Sequence, residues 1–229
     1  MTTATNRPLQ PGDQAPSFAL PAVNRDGQVA LQDYLGKSPV LVGLYRGLYC
    51  PFCRRQIAQL AITRDKLARE GVETVAVVNT PMERARQYFQ YRPTRVLLAA
   101  DPDVSTHRAF GLPRIGFVAD GTDPAQLHWP ERATMAQFLA PRLNPTGELP
   151  EPQNMAQASE TLNRKDGFEL TEVDRQTFEE HGTQLPGQFL IDAQGTIRWL
   201  YVEGANRPDD LARSPSDGEI LAAVEAMSR

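Results

Sequence analysis

Cysteine is nearly absent from this chain: two residues among 229, at positions 50 and 53. So close a pair cannot staple a chain of this size, which excludes a disulfide scaffold. Histidine is almost as rare. His107, His128 and His181 show no paired spacing, so a zinc ion at the cysteines would lack two of its usual four ligands. No apolar run approaches the roughly 18 residues of a membrane helix. The first stretch, MTTATNRPLQPGDQ, has no apolar core and does not read as a secretory signal. Positive charge is not in excess either. The 24 Lys and Arg against 28 Asp and Glu leave a net charge of −4, a poor balance for gripping nucleic-acid phosphates. The expected setting is a reducing cytoplasm, where a close cysteine pair is more often catalytic or metal-binding than structural.

What is present is an ordinary globular composition, 41% hydrophobic and 23% charged, long enough for one large domain or one domain with an insertion. Residues 1–9 read as a flexible arm and 10–229 as a single domain; the polar, Pro-containing character of the arm runs on to about residue 15. SFALPAV and QVALQDY, joined through NRDG, predict a hairpin or two edge segments. PVLVGLY (39–45) has the continuous apolar character of a central buried strand. After the cysteines, Ile57, Leu60, Ala61, Leu67 and Ala68 fall near helical spacing, with Gly71 as the stop. VETVAVV (72–78) is a second strand, MERARQYFQYR (82–92) a helix opened by Pro81, and RVLLAA (95–100) a third strand. DPDVSTHRAFG (101–111) is a turn and a short helix, with Asp101 and Asp103 as turn formers and His107 as a polar helix residue. Strand alternating with helix predicts parallel pairing with right-handed crossovers.

Residues 113–183 are rich in Pro, Gln, Asn and Glu, with a weak apolar pattern, and read as an insertion. Within it ERATMAQFLA and TEVDRQTFEEHG are candidate helices, the second capped by Thr171 and Asp174 and stopped by Gly182; LNPTGELPEPQN is loop. Trp129 lies here and could cover a cleft. GQFLIDAQGTIRWLYV (187–202) predicts a hairpin turning at Gly195, with Phe189 and Trp199 in the sheet core, and SDGEILAAVEAMSR a closing amphipathic helix.

The chemistry concentrates in RGLYCPFCRR, residues 46–55. A Cys-x-x-Cys pair at a strand end that opens a helix meets the unpaired N–H groups and partial positive charge of the first turn, and both favour thiolate over thiol. The dipole alone contributes roughly 0.3–1 kcal/mol, under about one pH unit of pKa. Neighbours must add to it, and Arg46, Arg54, Arg55 and the partner sulfur are placed to do so. Pro51 supplies a fixed φ at a position needing no N–H. A two-residue spacer closes too small a loop for a stabilising disulfide, so a redox pair is the leading reading.

VLVGLYRGLYCPFCRRQ, VETVAVVN, DPDVSTHRAFG and LPGQFLIDAQGTIRW together resemble the thioredoxin fold. More closely they are similar to the peroxiredoxin-like (alkyl hydroperoxide reductase C/thiol-specific antioxidant) redoxins, as is the N-terminal PGDQAPSFALP. The resemblance spans about residues 10–112 and 184–203. It implies an α/β thioredoxin-like fold, a central mixed β-sheet flanked by helices, with the insertion before a strand preceded by a cis Leu185–Pro186 bond. It implies a thiol-dependent peroxidase or thiol–disulfide oxidoreductase without bound cofactor or metal, a peroxide or disulfide substrate and an external thiol reductant such as a thioredoxin or glutathione system. A homodimer follows by analogy only.

The same resemblance leaves two orders of attack open. By thioredoxin logic Cys50 attacks and Cys53 resolves. By the peroxiredoxin motif Pro-x-x-x-Thr-x-x-Cys, Cys53 is peroxidatic, Cys50 stands where Thr is expected, and Arg46 stands where Pro is expected. Gln56 then matches the acidic or amide residue three positions on. Tyr49 takes the place of the aromatic before the thioredoxin pair. Pro186 stands near where peroxiredoxins carry an Arg, a role Arg46 could assume. Three functions follow: a peroxidase, a disulfide reductase with Cys50 as nucleophile, or a non-catalytic redox-sensing or metal-binding module.

Overall fold

The computed structural model describes residues 9–227, so most of the expected N-terminal arm lies outside the described residues. In chain order the elements are β1 (Ala19–Pro21), β2 (Gln28–Ala30), β3 (Val40–Tyr45), α1 (Pro51–Arg69), β4 (Glu73–Val78), α2 (Met82–Tyr91), β5 (Leu97–Ala100) and α3 (Ser105–Ala109). The insertion carries β6 (Phe117–Val118), β7 (Ala133–Thr134), α4 (Met135–Leu139), α5 (Met155–Asp166) and α6 (Glu172–His181). Then follow β8 (Gly187–Ile191), β9 (Ile197–Val202) and α7 (Asp217–Met227).

The central sheet runs β5-β4-β3-β8-β9. β3, β4 and β5 are parallel, joined by helical crossovers, while β8 and β9 add antiparallel strands on the other side of β3. Every residue of β3 is buried. Alternation sends Leu41 and Tyr45 to one face, with α1, and Val40, Val42 and Leu44 to the other. That second face, which Phe189 of the neighbouring sheet strand shares, is covered by the β1–β2 hairpin and Phe110. The polar insertion does not build a core of its own: Leu143, Leu149, Met155, Ala158 and Leu162 join the α1 side of the main core.

Local chemistry accounts for the boundaries. Gly71 ends α1 with φ +72°, and Gly195 turns the β8–β9 hairpin with φ +84°. Thr171 and Asp174 form a reciprocal capping box on α6. Thr171→Ala should lower unfolding free energy by about 1 kcal/mol, seen as a lower urea midpoint at unchanged slope.

Several expectations need correction. The Leu185–Pro186 peptide is trans; among the described residues the cis bond is Trp129–Pro130. In the ordinary trans form Leu185 N–H donates to Pro113 O, and Pro186 O accepts from Glu203 N–H, both at 3.0 Å, carrying the chain directly into β8. Residues 9–15 are not loose: Leu9 is buried, Gly12 N–H donates to Ile197 O, and Ala15 N–H donates to Gly195 O. His107 lies in helix α3, as expected, and is fully buried there, with Nε2 at 3.2 Å from Tyr45 O; burial lowers its pKa to about 4. Within the insertion, α5 is a helix the weak apolar pattern concealed, although Asn154 caps its start and Gly167, at φ +58°, its end. No helix among the described residues is long and apolar enough to cross a membrane.

Candidate active site

The two cysteines sit where β3 hands over to α1, at the carboxyl end of the central parallel strands, the usual place for a site in such sheets. The chain from 46 to 50 is drawn tightly round. Cys50 N–H donates to Gly47 O at 2.9 Å, and Leu48 N–H donates to Thr80 Oγ1 at 2.9 Å, just beyond β4. A Cβ at Gly47 would lie 2.7 Å from both Asn79 Oδ1 and a Tyr49 ring carbon, so the turn leaves no room for a side chain.

Cys50 is the N-cap of α1, and its sulfur accepts the Cys53 N–H at 3.3 Å. Pro51 begins the helix where no N–H donor is needed. The two thiols are buried and free, but not alike. Burial works to raise Cys50, yet the hydrogen bond from the Cys53 side chain and the Arg46 charge outweigh it and lower the thiol to about 7. Cys53 goes the other way: burial, its bond to Cys50 and the Cys50 charge all push it well up. Cys50 also lines a cavity of about 690 Å³ that Cys53 does not.

Arg46 is buried, 5% exposed, and also lines that cavity. One of its nitrogens is paired with Glu203, itself 1% exposed at the end of β9, while among the described residues Arg46 Nε has no partner. Gln56 holds the other Glu203 oxygen at 3.0 Å and donates to Arg213 O at 3.2 Å. Tyr49 donates to His181 O at 3.3 Å and meets Phe178 edge-on, ring centres 5.4 Å apart. Six of the seven sequence-predicted residues thus cluster here. Pro186 does not share the Cys50 cavity; it borders a small pocket behind the pair with Gln56 and Glu203.

The other two arginines of the motif serve the insertion. Arg54 donates to Leu48 O at 2.6 Å, Asn163 Oδ1 at 2.7 Å and Asp166 at 2.8 Å, and stacks 3.9 Å above the Phe168 ring centre. Arg55 pairs with Glu148 and Asp166, each at 2.8 Å. These contacts bind α5 to the start of α1 and stand the insertion over the cysteines. The cavity wall therefore combines Tyr49 and Phe52 with Phe138, Phe168, Leu170 and Phe178 of the insertion. Trp129 takes no part in it; its indole donates to Gly204 O. Sequence reasoning missed Glu203, which carries no local signal after β9. It also missed the wall phenylalanines, visible only as apolar residues in a polar stretch. Among the described residues no group of three His, Cys, Asp or Glu could close on a metal ion.

A Mycobacterium tuberculosis (strain H37Rv) protein named "Putative peroxiredoxin Rv2521" is 31% identical over 110 residues, 48% of this chain and 68% of that protein. Among solved structures, a Plasmodium vivax 2-Cys peroxiredoxin superposes with TM-score 0.58 at 18% identity, covering 96% of this chain and 83% of its own. A "putative Thiol:disulfide interchange protein DsbE" from Chlorobium tepidum gives TM-score 0.52 at 22% identity, covering 94% and 99%. These two likenesses establish the fold alone. The AhpC/TSA family pattern matches residues 11–134, more than half of the sequence and the whole of the cysteine motif. The chain accordingly belongs to the AhpC/TSA family, peroxiredoxin-like members of the thioredoxin superfamily, and is a thiol-dependent oxidoreductase.

Proposed function

We propose that this protein reduces organic hydroperoxides through a Cys50/Cys53 dithiol–disulfide cycle in which Cys50 attacks first. One observation carries the order: Cys50 is the sulfur that borders the large cavity, while Cys53 is sealed behind it. The lowered Cys50 thiol supports the same order.

In this cycle the Cys50 thiolate attacks the terminal peroxide oxygen. An S–O bond forms, the O–O bond breaks, and the alkoxide leaves and takes up a proton, giving an alcohol and a Cys50 sulfenic acid. Arg46 lines the same cavity as Cys50, and its positive charge favours the departing alkoxide. The Cys53 thiol then attacks the Cys50 sulfur; the S–S bond forms and water leaves. An external dithiol supplies two electrons to restore the pair. The family suggests a thioredoxin or glutathione system as donor, and we place the protein in the cytoplasm. We also take residues 10–229 as one domain, because the insertion shares its core.

The wall favours a small organic substrate over a protein disulfide. Cys50 is 6% exposed and lies beneath the insertion, where a folded partner's disulfide would not reach without moving it. Burying an aromatic body contributes about 1.5–3 kcal/mol. Cumene hydroperoxide should therefore give kcat/KM at least roughly 10-fold above hydrogen peroxide. Phe178→Ala should cut the cumene value roughly fivefold, about 1 kcal/mol, and leave the hydrogen peroxide value unchanged. Equal rates for both peroxides, insensitive to Phe178, would refute the assignment of this cavity. If neither peroxide is consumed but a small aromatic disulfide is reduced, the enzyme is a disulfide reductase using the same Cys50.

A further inference from the structure

We infer that Glu203 is a positioning residue for the dithiol: by neutralising Arg46 from behind, it sets how readily Cys50 ionises and how easily the Cys50–Cys53 disulfide is reduced. The inference rests on Cys50 being the attacking sulfur but needs no particular oxidant.

The geometry is specific. Glu203 is among the most buried charged residues of the protein, and both its oxygens are engaged, one by Arg46 and one by Gln56. Gln56 stands one turn after Cys53 on α1, so the carboxylate lies against the first turn that carries the pair. Taking two charges out of water carries a large desolvation cost before their attraction is counted. A fold seeking stability alone would do as well with apolar residues here. The location supplies the reason for a charge. A buried Arg46 without a counter-ion would favour the Cys50 thiolate further and make it a weaker nucleophile, because nucleophilicity falls with pKa. With Glu203 in place the pair is neutral as a unit. The thiol then titrates near neutrality, where attacking thiols perform best.

The other groups facing this network are few. Tyr45 and Tyr49 approach from β3 and the loop after it, and burial raises both, so they stay neutral. Tyr201 on β9 is likewise raised by burial, to about 12. Arg213 contributes a backbone oxygen to Gln56 and borders the small pocket beside Glu203. On the cavity side Glu160, Arg164, Glu169 and Arg175 also border the cavity. Arg164 pairs with Glu160, and Arg175 with Glu172. None of these is a buried counter-charge to Arg46.

The test titrates the thiolate by its ultraviolet absorbance and alkylation rate, and maps the alkylated sulfur by peptide mass. In Glu203→Gln the Cys50 midpoint should fall by about one pH unit or more. The disulfide should become roughly 10-fold easier to reduce against glutathione. An unchanged or raised midpoint in folded Glu203→Gln overturns the inference, whatever the change in melting temperature. Should that variant not fold, Glu203→Asp keeps the charge but shortens its reach: a smaller fall supports the inference, and no fall overturns it. Label on Cys50 with an unmoved midpoint defeats the Glu203 inference alone. Label on Cys53 defeats the order of attack, and this inference with it.

Discussion

Cys50→Ser should reduce peroxide turnover to the uncatalysed background, whereas Cys53→Ser should still complete a first turnover and then stop. The asymmetry follows from position. Cys50 caps α1, accepts the Cys53 N–H and borders the cavity; a serine hydroxyl there remains protonated at any working pH and is no nucleophile towards peroxide. Cys53 is needed only after a sulfenic acid exists. Without it the oxidised Cys50 should persist long enough to be trapped by dimedone and found by mass spectrometry. The first-turnover rate should follow the thiolate fraction. With Cys50 lowered to about 7, the rate should fall roughly tenfold for each pH unit below that point and level off above it. A Cys53→Ser protein unable to perform even the first turnover, beside an active Cys50→Ser, would restore the peroxiredoxin order and make Cys53 the peroxidatic sulfur.

Arg54→Ala is the substitution expected to cost most in stability. The side chain is 4% exposed and joins three parts of the molecule. It donates to the active-site loop at Leu48 O, reaches Asn163 and Asp166 on α5, and lies flat on Phe168. Truncation leaves the Leu48 carbonyl without this donor, removes one of two arginines from Asp166 and strips the stacked surface from Phe168. A loss of about 3 kcal/mol is expected, lowering Tm by roughly 6–12 °C for a domain of this size. Arg54→Lys should recover little, since an ammonium cannot both fork across two acceptors and stack on a ring. Because the same contacts hold the insertion over the cysteines, selectivity for bulky over small peroxides should fade with it. Retained stability and retained selectivity would show that the insertion is held by its apolar contacts alone.

These expectations differ in how far they could be read before the fold. The strands β3, β4 and β5, the helix after the cysteines and the β8–β9 hairpin stand out because each carries its own signal: continuous apolar β-rich runs, 3.6-residue periodicity, and glycine where φ must be positive. The α6 cap is equally local, needing only Thr171 and Asp174. α5 escaped because its apolar positions are few, and its caps at Asn154 and Gly167 mark boundaries without revealing what lies between. The trans bond at Leu185–Pro186 is the ordinary form for an X–Pro peptide; the cis expectation rests on the resemblance and not on any local signal.

The site divides along the same line. The sequence alone determined the chemistry available: two cysteines at a helix start, a proline needing no N–H, and arginines on either side. Those depend on residue type and spacing within one turn, and so survive without any knowledge of the fold. Only the tertiary structure decided which sulfur meets the substrate cavity, which arginine faces the thiolate, and which two are spent on holding the insertion. It alone brought Glu203 behind Arg46, 157 residues away along the chain. Charge interactions in a buried site depend on distance through space and on exclusion of water, and neither quantity is written in local sequence.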